Sequence, residues 1–225
     1  MTTTEFSIEF DILYNNIMSN AAPGLNEYEK SVLLTQAQET IVLKLYNGTL
    51  NADSFEATEE VKSYLESLVK PVTLTNTITG EGISKKSKIY SKPEDLWFIV
   101  YEAAEIEGDS LGCKNNNIVE VQPITHDSYH QVSSNPFKRD NDRRVLRLMS
   151  SDSLELISDY DIPSYYIRYI RKPNPIILTD LDEYDVSIDG ETDITECELH
   201  PALHRLILTT AVQMAKSLWL QTSGE

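Results

Sequence analysis

Cysteine is scarce in this chain. Cys113 and Cys197 stand far apart, and no C-x-x-C pair occurs. That excludes a disulfide framework, a metal ribbon and a dithiol redox motif, and leaves two thiols. No apolar run approaches the roughly 18 to 20 residues that a bilayer-crossing helix requires, so no membrane partner is expected. The opening MTTTEFSIEFD lacks the basic region and apolar core of a signal peptide. The expectation is a protein that stays in the cytoplasm where it is made, or leaves only inside a particle.

Basic residues are few as well: 19 Lys and Arg against 36 Asp and Glu, for a net charge of −17. Gripping DNA or RNA is mostly phosphate neutralisation, so nucleic-acid binding over the outer surface is disfavoured. An acidic wall would instead suit a conduit that must not hold its polyanionic cargo. The same charge also serves solubility.

Catalytic dressing is missing too. There is no G-x-S-x-G elbow, no phosphate-binding glycine loop and no H-E-x-x-H helix. Among 36 acids a carboxylate pair has no sequence address. No catalytic residue and no cofactor is assigned. His200 and His204 lie four apart at a helix start, but Pro201 stands where a zinc protease needs Glu. They read as a capping or surface pair.

What is present is architecture. Phe6, Phe10, Leu13 and Ile17 recur at helical spacing. After Pro23-Gly24, Asn26 and Glu29 form a capping-box pattern. A second helix follows to about Tyr46, striped by Leu34, Ala37, Ile41 and Leu45, with Asn47-Gly48 as its stop. A third helix is expected over residues 58–69. Seven short β-rich runs come next, at 72–79, 87–91, 96–105, 118–124, 145–149, 154–157 and 165–172. In the last of these, Tyr166, Arg168 and Ile170 point one way and Tyr165, Ile167, Tyr169 and Arg171 the other. Its Arg and Tyr content suggests that one face meets water or another chain. A final helix from about His200 to Leu220 has Pro201 in its first turn. Leu203, Leu206, Ile207, Ala211, Met214 and Leu218 form its stripe.

The fold class expected is α+β: a helical bundle formed by the N-terminal helices and a C-terminal helix, with a central antiparallel β-rich insertion. Antiparallel pairing is favoured because the links look too short for crossover helices. Residues 1–70 form the N-terminal helical part and residues 71–180 the insertion. Residues 181–225 form an acidic hairpin loop and the helix that completes the bundle.

Two charged segments stand out. Lys138, Arg139, Arg143, Arg144 and Arg147 cluster around Asp140 and Asp142, with Phe137 the only aromatic beside them. In so acidic a chain, contact with another copy is favoured over contact with DNA. The second segment, DVSIDGETDITE, sets Asp185, Ser187, Asp189, Gly190, Asp193 and Glu196 at EF-hand spacing. That loop works between two helices, whereas Pro173 and Pro175 precede it here. Asp189-Gly190 reads better as a type I′ hairpin turn. Asp185, Asp189, Asp193 and Glu196 therefore remain weak metal candidates. A divalent-cation (calcium) module built on residues 185–196 is the alternative function.

Three stretches carry a resemblance: EFDILYNNIMSNAAPGLNEYEKSVLLTQAQETIV, YYIRYIRKPNPIIL and TECELHPALHRLILTTAVQMA. Through them the chain resembles the ring or adaptor proteins, head–tail connector and tail-collar, of crAss-like short-tailed bacteriophages. The resemblance implies a non-enzymatic virion protein, made in the host cytoplasm, that closes into a ring of about twelve copies. It implies a place below the portal protein, where the ring extends the DNA channel and docks the next tail component. Phage DNA would pass through the lumen without specific binding. A cyclic ring needs two different complementary patches on each chain. The candidates are the basic cluster and the acidic segment 180–198, including Asp180, Asp182 and Glu183.

Overall fold

Asn26 and Glu29 exchange hydrogen bonds at 2.8 Å: each side chain accepts from the other's backbone N–H. This reciprocal cap starts α2 (Glu27–Tyr46). Gly48, at φ +69°, follows its last turn. The computed structural model describes residues 1–17, 23–48 and 63–222. They fall into two units: residues 1–68 with 172–225, and residues 69–171.

In the first unit, α1 (Thr3–Ile17) buries Phe6, Phe10 and Tyr14. The long C-terminal helix, Pro201–Thr222, packs on both α1 and α2, and Lys30 of α2 donates to Ser7 and Asp11 of α1. An irregular stretch, residues 172–200, occupies a face of α2 that a bundle would have filled with a helix. Ser31, Thr35 and Gln38 lie on that face and are buried. The Gln38 amide donates to the Asn174 carbonyl at 2.7 Å, and Ser31 Oγ accepts from Leu178 N–H at 3.0 Å. Thr35 Oγ1 accepts from Ile176 N–H at 3.1 Å.

The second unit is one seven-stranded sheet. Its strands are β1 (Val69–Leu74), β2 (Ser87–Ser91), β3 (Leu96–Glu107), β4 (Asn117–Pro123), β5 (Arg144–Met149), β6 (Ser153–Ile157) and β7 (Asp161–Arg171). They run in the order β1-β7-β3-β4-β5-β6-β2. Three register shifts in β3 against β7 bend the sheet. Tyr90, Ala104, Ile106, Val119, Val145, Leu154, Tyr165 and Ile167 fill the core on one side. Leu146, Leu148 and Ile157 pack on the other, with Tyr129 and Val132 of the short α3 (Tyr129–Ser134).

The expected fold class is thus corrected. The chain is not a helical bundle with an antiparallel insertion: a seven-stranded sheet dominates, and helices are few. Nor is the sheet wholly antiparallel, because β4 and β5 pair in parallel from Glu120↔Arg144 to Pro123↔Arg147. The link over residues 124–143 exceeds the dozen or so residues that a parallel crossover needs, and α3 lies within it. The first five residues of the expected third helix, 58–62, lie outside the described residues. Residues 63–68 are helical, and Val69 already opens β1. In the C-terminal helix, α4 hereafter, Leu203, Ile207 and Ala211 of the expected stripe are buried. His204, Leu208, Val212 and Ala215 are buried beside them, while Leu206 and Leu218 are exposed.

Candidate functional site

The basic cluster sits on a tightly braced loop between α3 and β5. Asn135 Oδ1 accepts from Phe137 N–H at 2.9 Å, and the Asn135 carbonyl accepts from Lys138 and Arg139 N–H at 3.0 Å. Asn141 repeats the device with Arg143 N–H at 2.9 Å. Arg144 Nη1 donates to the Phe137 carbonyl at 3.2 Å. These bonds fix the loop in one conformation and leave the Phe137 side chain 88% exposed.

The two carboxylates that interleave with the cluster are withdrawn from its tip. Asp142 pairs with Lys114, whose hydrogen bond holds its carboxyl below the ordinary range. Asp140 is buried. Lys138, Arg139 and Arg143 are exposed, and none of the described ion pairs uses them. Arg147 stands apart from the surface group. It is buried in β5, and its Nε and Nη2 donate to Glu102 at 2.8 and 3.2 Å. Tyr165 Oη donates to the same carboxylate at 2.6 Å. Burial and then Glu102 push the Tyr165 phenol far above its ordinary value.

The acidic segment lies in the helical unit. Ile177, Leu181 and Ile188 anchor it in a small cluster with Val32 and Val186. Asp180 Oδ1 accepts from Asp182 N–H at 3.0 Å, and Asp180, Asp182 and Asp185 are exposed. The side chain of Glu183 lies outside the described residues. Asn26, Glu27, Tyr28, Thr179, Tyr184 and Val186 line a cleft of about 430 Å³ beside these acids.

The EF-hand candidates do not converge. Asp189 and Gly190, both at positive φ, turn the chain so that Ile188 and Glu191 exchange backbone hydrogen bonds. Asp189 pairs with Lys172 at 2.9 Å, and Lys172 also holds Glu39 at 2.9 Å. Among the described residues no three His, Cys, Asp or Glu side chains group to hold a metal ion. Directly upstream of the loop stands a single 3-10 turn, Asp182–Tyr184, in place of the α-helix that an EF-hand requires.

Three features escaped the sequence. Phe137 carried no periodic signal that marks exposure. A groove on the sheet face, lined by Pro71, Tyr101, Ile118, Tyr166 and Arg168 among others, is assembled from four strands. His204 is buried, contrary to the expected capping or surface role. Its Nδ1 accepts from the Met1 amino group at 2.7 Å, its Nε2–H donates to the Leu199 carbonyl at 3.0 Å, and Phe6 packs on its ring. An ammonium only donates, which assigns the tautomer.

Comparison with known proteins covers the whole length. The family described as phage tail ring protein 3/4 matches residues 1–225. The chain is 42% identical over 228 residues to ring protein 3 of Bacteroides phage crAss001, covering all of this chain and 99% of that protein. It is 39% identical over 248 residues to ring protein 4/5 of the same phage, covering all of this chain and 98% of that one.

Proposed function

The chain belongs to the phage tail ring protein 3/4 family, and from that premise we propose that it is a structural virion subunit whose copies close into a ring. The single observation that carries this reading is the family match from the first residue to the last. The chemistry of the surface supports it. A cyclic ring joins unlike patches, one from each neighbour. The braced loop offers Lys138, Arg139 and Arg143, which none of the described ion pairs uses, and the helical unit offers Asp180, Asp182 and Asp185. Charge complementarity of this kind sets register and partner choice.

In the finer form of the proposal, about twelve copies form the ring. The ring lies in the connector stack below the portal, extends the DNA channel and docks the next tail component. A net charge of −17 suits a channel that does not hold DNA as it passes.

Mass photometry of the purified protein, alone and with the portal of the same phage, tests this. The expected result is a closed oligomer, or a portal complex heavier by a fixed multiple of 25.5 kDa. Arg143→Glu together with Lys138→Glu should reduce ring assembly at least tenfold. A chain that stays monomeric alone, ignores the portal and is missing from purified virions would refute the reading.

A further inference from the structure

We propose that Phe137 of one copy seats in the cleft between Tyr28 and Tyr184 of the next copy, as the anchor of the ring contact. This inference rests on the ring reading above. Phe137 is the most exposed of the large apolar side chains described, at 88%. It is not a loose one. Asn135 and Arg144 hold its backbone from both sides, so little freedom is left to lose on docking. A rigid exposed aromatic with arginine beside it has the makeup of an interface hot spot.

The cleft has the opposite character. Tyr28, Tyr184 and Val186 give it an aromatic and aliphatic lining, and its volume of about 430 Å³ admits a phenyl ring. Tyr184 is exposed and Tyr28 borders on it, so both rings are open to an edge-on or offset partner. Asp180, Asp182 and Asp185 stand in the same segment, exposed and outside the described ion pairs. The cations Lys138, Arg139 and Arg143 are exposed on the loop that carries the anchor. Knob and cleft therefore match in both apolar character and charge. Phe137 is exposed, and the charge match between its loop and the acids beside the cleft argues for a second copy as the occupant. Knob and cleft are also different surfaces, as head-to-tail closure demands.

The test pairs Phe137→Cys with Tyr184→Cys in the full chain, with Cys113→Ser to remove the exposed thiol. Burial pushes the Cys197 thiol up to about 11, which keeps it out of the exchange. Under mild oxidation the double variant should form a disulfide ladder, in steps of one chain, that passes beyond two copies. Each single variant should not. Rings seen by mass photometry without any ladder would overturn the anchor and leave the ring reading standing. A ladder that stops at two copies would also overturn it, since that marks a reciprocal dimer. Absence of both rings and ladder, with and without the portal, would overturn both readings. Phe137→Asp should weaken assembly at least tenfold while Phe137→Trp retains it, both with unchanged thermal midpoint because the side chain is outside the core. Loss of salt-sensitive DNA binding in Phe137→Asp, with assembly intact, would reassign the tip to nucleic acid.

Discussion

The two units bury charge in different ways. In the sheet, Arg147 and Glu102 are both enclosed, their side chains 10% and 9% exposed. In the helical unit, Lys30 is enclosed at 4%, but its partners Asp11 and Glu27 are 50% and 42% exposed. Lys30 reaches them at 2.7 and 3.0 Å and also donates to Ser7 at 3.3 Å. One site is a closed pair; the other is a cation whose counter-ions keep their water. What separates them is the fate of the group left behind when its partner is removed.

The largest effect should follow in the sheet. Arg147→Met leaves the Glu102 carboxylate buried with only Tyr165 as a donor. The expected loss is about 3–5 kcal/mol, read from urea unfolding. Replacing both, as Glu102→Leu with Arg147→Met, should recover much of that loss, because no charge is then left unpaired. A double variant as unstable as the single one would break the contrast.

Lys30→Met should cost less, about 1 kcal/mol, since Asp11 and Glu27 turn to solvent. Burial pulls the Lys30 pKa down, but the hydrogen bonds it donates to Asp11 and Glu27 outweigh this and leave it raised. The folded ammonium is therefore the favoured form throughout the neutral range. Its contribution fades only as pH rises past the ordinary lysine value toward the raised one. A loss equal to that of Arg147→Met would show that exposure of the partners does not matter.

The same contrast explains what the sequence could reveal. A capping box, an Asp-Gly turn and the alternation of β7 are local, so Asn26, Glu29, Asp189-Gly190 and Tyr165 to Tyr169 announced themselves. The charge pattern of 138–147 also found the basic segment. It did not reveal that Arg147 is sequestered by Glu102, forty-five positions earlier, or that Asp140 and Asp142 leave the tip to Lys138, Arg139 and Arg143. Those outcomes depend on pairing between distant strands. The parallel β4–β5 pairing depends on how much chain the link can spare. Likewise Ser31, Thr35 and Gln38 look like a polar helix face, yet they bind the extended chain at 174–178. Polar residues on a helix carry no mark that distinguishes a wet face from one that satisfies another segment's backbone.

His204 sharpens the comparison at its mildest end, because its burial is conditional on protonation. Burial lowers its pKa; the Leu199 carbonyl opposes this, while the Met1 ammonium and His200 add to the lowering. The folded state thus favours neutral imidazole, with Nδ1 free to accept from Met1. The stability this provides is complete above the ordinary histidine value of about 6.5. It is lost as pH falls from there through the lower folded value, because the unfolded chain binds the proton first. His204→Gln removes the titration. The stability difference between the natural chain and this variant should therefore shrink steadily from pH 7.5 to pH 5. A difference that stays constant over that range would mean the imidazole is held for its shape and not for its neutral charge state.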